Sequence, residues 1–270
     1  MPRTPLLAAY LQRLAIGGSL APGYGTLCGL QHAHMLSIPF ENLDVLLGRP
    51  IRLDLLSLQD KLLTRKRGGY CFEHNTLFRA VLTSLGFDTV ALSARVQLGS
   101  PAGSVPPRTH MCLRVELPEG PFLADAGFGG AGPRHPIALY PGSEAIFGNE
   151  RHRLQCSGEL WTLQSYVEAG FSDLYSFTLE PRFPIDVEVQ NHFTSTHPAS
   201  RFMQHLMVQR CSVDGSIVLR DGQLTVRRDG ELTRSMVADR EALVGVLREH
   251  FELDVPEVRS LHVPAVSGWG

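Results

Sequence analysis

The chain has 270 residues, 43% of them hydrophobic, and a formal net charge of -2. This length and apolar content can bury one large core or two or three smaller ones. The near-neutral balance excludes a global field suited to nucleic acid or an anionic membrane, and no apolar run reaches the length of a bilayer-spanning helix.

Met1-Pro2-Arg3-Thr4-Pro5 lacks the charged start, apolar middle and small-residue cleavage site of a secretory leader. Thr4 can cap a helix with Pro5 in its first turn, and Leu6, Leu7, Tyr10, Leu11 and Leu14 form an apolar stripe that should end at Gly17-Gly18. Ser57 with Asp60 three residues on resembles a capping box ahead of Leu58, Leu62 and Leu63. A further helix is expected after Cys71, with Leu77, Phe78, Val81, Leu82 and Leu85 on one side and Gly86 as its stop.

Beyond Gly86 the period changes. Val90, Leu92, Ala94, Val96 and Leu98 alternate as a half-buried strand requires, and Gly99 to Pro107 reads as a loop. In the next strand Met111, Leu113, Val115 and Leu117 share an apolar face, with His110, Cys112, Arg114 and Glu116 on a polar one. Pro118 to Pro121 should turn the chain into a returning strand over Phe122 to Ala126. Short strands are expected through Trp161 to Val167 and Tyr175 to Leu179, a hairpin from Ser216–Leu219 and Leu224–Arg227, and a last helix around Asp239 to Phe251. The order predicts an α+β chain: helices first, a mostly antiparallel sheet or barrel next, a mixed C-terminal segment last.

The five cysteines, Cys28, Cys71, Cys112, Cys156 and Cys211, are odd in number and form no C-x-x-C pair. That argues against a disulfide framework and a structural zinc site, so no metal is expected, and it suits the reducing cytoplasm. Of the five, Cys71 stands in a distinctive setting: Arg67-Gly68-Gly69-Tyr70-Cys71-Phe72-Glu73-His74-Asn75 places it after a Gly-Gly turn and at a helix start. Helix N-terminal amides and a nearby imidazolium favour the reactive thiolate, and glycines let a substrate approach the backbone. A free cysteine is more often a small core residue, the reading given to Cys112.

Eleven histidines compete for the role of base. His74 is three residues from Cys71 on the expected helix, which makes it geometrically available. His32 and His34 read as a polar helix face rather than a metal pair, and spacing alone does not select His110. Asp125, tightly flanked by apolar residues, should be buried and in need of a partner, and the hairpin sets it on the strand beside His110.

Together these segments resemble the arylamine N-acetyltransferase family. The likeness lies in Ile38-Pro39-Phe40-Glu41-Asn42-Leu43-Asp44, the Arg67–Asn75 block, Thr109-His110-Met111, Asp125-Ala126-Gly127-Phe128-Gly129 and Ser195-Thr196-His197-Pro198. It implies a helical bundle over 1–88, an antiparallel β-barrel over 89–194 and an α/β lid over 195–270, the first two forming a papain-like core. It also implies Cys71 as the acetylated nucleophile, His110 as base and Asp125 as the residue that orients the base. Arg67 and Glu41 match a structural ion pair of the family. Phe40, Phe128 and Phe202 fall where family members wall the acceptor pocket, and Thr109, Gly127, Gly129 and Gly130 where coenzyme A approaches. The implied activity is ping-pong transfer of acetyl from acetyl-CoA, as co-substrate, to aromatic amines or hydrazines. An amide synthase of secondary metabolism or a papain-like cysteine hydrolase would use the same three groups, and a homodimer is compatible with the sequence.

Overall fold

The computed structural model describes residues 4–101 and 103–269, so the reading of Met1 to Arg3 as no secretory leader, and Ala102 of the expected loop, lie outside the described residues. Helix α1 (Pro5–Arg13) is capped as expected: Thr4 Oγ1 accepts the Leu7 N–H at 3.3 Å, with Pro5 in the first turn. It stops at Arg13, before the glycines, because Ala15 already adopts a left-handed φ of 54°. Helix α2 (Tyr24–Ser37) has a weak apolar stripe, and it buries Gln31 and His34 alongside Leu27, Leu30 and Met35. Strand β1 (Phe40–Glu41) and the single turns α3 (Leu43–Leu46) and α4 (Leu55–Leu58) follow, and α4 runs into a π-helical turn, Gln59–Thr64. The expected Ser57–Asp60 box does not form. Asp54 caps α4 instead, accepting the Ser57 N–H at 2.9 Å, and Asp60 pairs with Arg65 at the surface. Helix α5 (Cys71–Ser84) begins at the cysteine itself and buries Leu77, Phe78, Val81 and Leu82.

The second region holds β2 (Asp88–Val96), β3 (Arg108–Leu117), β4 (Gly120–Ala124), β5 (Ile137–Ala138), β6 (Glu144–Phe147), β7 (Glu150–Ser157), β8 (Leu160–Val167) and β9 (Gly170–Phe177). They pair antiparallel in the order β5-β4-β3-β2-β9-β8-β7-β6, and β5 meets β6 to form a nearly closed barrel. The alternation in β3 sorts its side chains between two cores. Met111, Leu113 and Val115 face the helices, and Cys112 faces the barrel interior with Leu92, Leu163 and Tyr175. His110 therefore lies on no solvated face: it is 2% exposed, because barrel and helices cover both sides of the strand. Arg114 and Glu116, nearer the strand's far end, stay partly exposed, as an ion pair at 2.6 Å.

The last region contains α6 (Pro184–Thr196), α7 (Arg201–Gln204), β10 (Met207–Ser212), β11 (Gly215–Arg220), β12 (Gln223–Arg228), β13 (Glu231–Met236) and α8 (Arg240–Phe251). Asp239 caps α8, accepting the Ala242 N–H at 2.8 Å. The second sheet runs β1-β10-β11-β12-β13, so its first strand comes from the N-terminal region and ties that region to the C-terminal one. The boundary expected between 194 and 195 falls inside α6. A third core forms where Leu243, Leu247 and Phe251 of α8 pack on Val208, Leu219 and Leu224 of the sheet. Among the described residues no helix is long and apolar enough to cross a membrane.

Candidate active site

The cysteine turn is shaped by contacts that exclude side chains. A Cβ on Gly68 would sit 2.1 Å from Pro39 O, and one on Gly69 would sit 2.7 Å from Glu73 Oε2. That Glu73 oxygen accepts the Tyr70 N–H at 3.0 Å and so fixes the residue before Cys71. Beneath the turn lies a buried charge network. Lys61 Nζ, carried inward on the π-helical turn, reaches Glu73 Oε1 at 2.7 Å and Asp44 Oδ2 at 2.8 Å. Arg67 joins Glu41 at 2.7 Å, the pair the resemblance implied, and Asp44 at 3.2 Å. Burial opposes charge on Asp44, yet Lys61 and Arg67 bring its carboxyl down to about 2.

Cys71, His110 and Asp125 converge where α5 meets the barrel. All three are buried, with Cys71 3% exposed. His110 Nε2 stands 2.6 Å from Asp125 Oδ2. With that nitrogen taken, Nδ1 is the ring atom left to face the Cys71 thiol, which helps hold the imidazole in its charged form. Cys71 Sγ also lies 3.5 Å from Thr109 O. Burial alone would lower the His110 pKa, but the Asp125 carboxylate, helped by Cys71, outweighs it and pushes the imidazolium up to about 10. Asp125 is in turn held below the ordinary carboxylate range: burial raises its pKa, and His110, Asn75 and the Gly127 N–H lower it further than that.

Asp125 lies one residue past the end of β4, and both its oxygens are committed. Oδ2 also accepts Tyr175 Oη–H at 3.0 Å, and Oδ1 accepts Asn75 Nδ2 and Gly127 N, each at 2.9 Å. Gln31 Oε1 accepts the Asp125 N–H at 3.1 Å. Sequence reasoning missed Gln31, Asn75 and Tyr175 as parts of this site. Asn75 had a signal, being four residues from Cys71 on one helix face; Gln31 and Tyr175 had none.

The competing histidines point elsewhere. His74 turns away from the sulfur: its Nε2 donates to Gly69 O at 3.0 Å and its Nδ1 faces His34 Nε2 at 2.7 Å. His34, expected on a polar helix face, is fully buried, and Tyr10 Oη donates to its Nδ1 at 2.9 Å. The Gly69 carbonyl can only accept, and this sets the tautomers along the whole chain. His32 instead packs against Phe147 and His135.

The Phe40 and Phe202 rings lie 6.0 Å apart, and Tyr70, the residue before Cys71, stands edge-on to Phe202 at 5.4 Å. Phe128 packs at 5.0 Å from both His110 and Tyr175. Gly127 rests on the Cys71 backbone, where a Cβ would meet Cys71 Cα at 2.9 Å. Gly129, at φ +84°, passes Gln209 so closely that a Cβ would fall 2.3 Å from Gln209 Oε1, and Gly130 N–H donates to that oxygen at 2.7 Å. Thr109 contributes its carbonyl beside the sulfur.

A thiol, an imidazole and a carboxylate in sequence, between a helix start and a barrel strand, are the parts of a thiol-dependent acyl-transfer centre. The N-acetyltransferase family model matches residues 25–259. The arylamine N-acetyltransferase of Mycolicibacterium smegmatis is 38% identical over 263 residues, covering 96% of each chain. The solved arylamine N-acetyltransferase from Salmonella typhimurium superposes with a TM-score of 0.89 at 36% identity, covering 98% of this chain and 97% of that one. The Mycobacterium marinum enzyme, solved in complex with CoA, gives a TM-score of 0.88 at 37% identity, covering 93% and 94%. The chain belongs to the arylamine N-acetyltransferase family, and its α+β architecture is that family's fold.

Proposed function

We propose that this protein moves an acetyl group from acetyl-CoA to the nitrogen of an aromatic amine or hydrazine through a thioester on Cys71. The observation that carries the reading is the 2.6 Å contact of His110 Nε2 with Asp125, which leaves Nδ1 for Cys71. In the first half-reaction the Cys71 thiolate adds to the donor's carbonyl carbon. The donor C–S bond then breaks, and His110 gives its proton to the departing CoA sulfur. In the second half the amine nitrogen attacks the acetyl-cysteine and passes a proton to His110, and the Cys71 C–S bond breaks as the amide forms. Asp125 keeps the imidazolium stable through both halves and fixes its ring orientation.

Aromatic amines suit this site because they are neutral near pH 7, with the lone pair free. Phe40, Phe128 and Phe202 supply apolar walls for such a ring. The near-complete burial of Cys71 limits water, which favours transfer over hydrolysis. In this reading Thr109, Gly127, Gly129 and Gly130 border the acyl donor. Residues 1–88 carry the nucleophile and 89–194 the histidine and aspartate, and the covering α/β region over 195–270 extends back to Pro184 so that α6 stays whole. Five free thiols, with none paired among the described residues, suit the cytoplasm. A homodimer stays compatible with the chain, and sedimentation velocity reads it directly.

Steady-state kinetics with acetyl-CoA and an arylamine test the mechanism. Parallel double-reciprocal lines are expected, and converging lines would point to a ternary complex without the thioester.

A further inference from the structure

Gln209 is a residue that no motif marks. It sits on β10 opposite Phe40 of β1, so it belongs to the sheet that joins the C-terminal region to the N-terminal one. Its Oε1 accepts the Gly130 N–H at 2.7 Å, and Gly129 takes a left-handed φ of +84° to pass it. Any side chain on Gly129 would collide with that oxygen at 2.3 Å. The turn closes on itself, Gly132 N–H donating to Gly129 O at 3.0 Å. At its other end Gly127 packs on the Cys71 backbone and donates to Asp125. The glycine turn is thus pinned at two points. The Cys71–Asp125 side holds one end, and a side chain from a strand eighty residues further along the chain holds the other. Gln209, Phe40, His74, Gly129 and Gly130 also line one small hollow of about 10 Å³, so the glutamine and the glycine turn share a single surface.

We propose that Gln209 is a positioning residue for the acyl donor: by holding Gly129 and Gly130 it sets the backbone surface against which an acyl-CoA lies. This rests on the reading that Cys71 is acetylated by acetyl-CoA. Without an acceptor at position 209 the Gly130 N–H loses its partner and the turn is free to shift, while the thiol, imidazole and carboxylate keep their own contacts. The loss therefore falls on donors that span the turn.

The experiment compares two acyl donors on each variant: acetyl-CoA, and p-nitrophenyl acetate, which has no pantetheine arm or nucleotide. The readout is the ratio of the acetyl-CoA specificity constant to that for p-nitrophenyl acetate. Gln209→Leu, of similar size but with no acceptor, should lower this ratio about tenfold, mainly through KM for acetyl-CoA, as expected for one unpaired backbone N–H. Gln209→Glu keeps an oxygen for Gly130 and should restore the ratio to within about threefold of the parent. Gln209→Val gives a second acceptor-free variant if the leucine protein does not fold by circular dichroism. An unchanged ratio in the acceptor-free variant, or equal loss with both donors, would overturn the proposal. Failure of the parent protein to acetylate Cys71 with acetyl-CoA would instead remove the reading on which it rests.

Discussion

Gly127 lies directly against Cys71: a Cβ at 127 would stand 2.9 Å from Cys71 Cα and 3.0 Å from its carbonyl oxygen. Both contacts are with backbone, which has no rotamer to change. Gly127→Ala must push the loop away from the helix start, stretching the Gly127–Asp125 and Ala126–Asn75 hydrogen bonds, now 2.9 and 3.0 Å. The expected result is an activity loss on the order of a hundredfold with about 1–3 kcal/mol of destabilisation. Steady-state kinetics and a urea titration on the variant measure both.

Asp125 sets the base strength of His110. Replacing it with Asn removes the largest influence that raises the imidazole from 6.5 to about 10. The proton is then lost from the ring at a lower pH, so the imidazolium that supports the thiolate becomes scarce near neutrality. Asp125→Asn should reduce transfer on the order of 10³ to 10⁴-fold, by analogy with an asparagine in a serine triad. Iodoacetamide alkylation of Cys71 near neutral pH should slow in parallel; an unchanged rate would show that His110 does not depend on Asp125.

Acid should weaken the fold well before the carboxylates protonate. Burial lowers the His74 pKa from 6.5 to about 4 and drives that of His34 down in the same direction. Both stay neutral in the native protein while the unfolded chain protonates. The His74 contribution, on the order of 3 kcal/mol, is complete above pH ~6.5 and falls away as pH drops toward ~4, and that of His34 is lost in the same direction. His110 does not change in this window. Its raised pKa gives stability that is complete below ~6.5 and lost as pH rises through ~10. Urea midpoints taken near pH 7 and near pH 5 should differ, and His74→Gln should flatten the difference.

The pair Lys61–Glu73 links the π-helical turn to the cysteine turn at 2.7 Å, with both side chains buried. Lys61→Met alone leaves Glu73 charged and short of its cation, which should cost about 3–5 kcal/mol. Adding Glu73→Gln removes that stranded charge and keeps an oxygen for the Tyr70 N–H, so the double variant should regain part of the loss, with Asp44 still lacking its 2.8 Å contact to Lys61. Thermal melts of the two singles and the double form the cycle that measures this coupling.

Local signals in the chain were the legible ones. Thr4 caps the first helix, the last helix falls where expected beside Asp239, Gly68-Gly69 announces the sharp turn at Cys71, and the apolar setting of Asp125 forecasts its burial and need for a partner. The burial of His110 was not legible from its polar-face position, because alternation reports which side of a strand a residue takes, not whether that side is covered. Asp54 displaced the expected Ser57 cap because it starts the helix one turn earlier and accepts the Ser57 N–H itself, which leaves Ser57 inside the helix. Tyr175 and Gln209 stayed invisible because each meets its partner across a separation of fifty residues or more, set only by barrel closure and sheet pairing.

The most direct test of the acyl-enzyme is intact-protein mass spectrometry after brief exposure to acetyl-CoA. The account predicts a mass gain of one acetyl group, mapped to Cys71, lost on adding an arylamine and absent from Cys71→Ser. An acetyl group on another residue, or amide formation with Cys71 never modified, would contradict it.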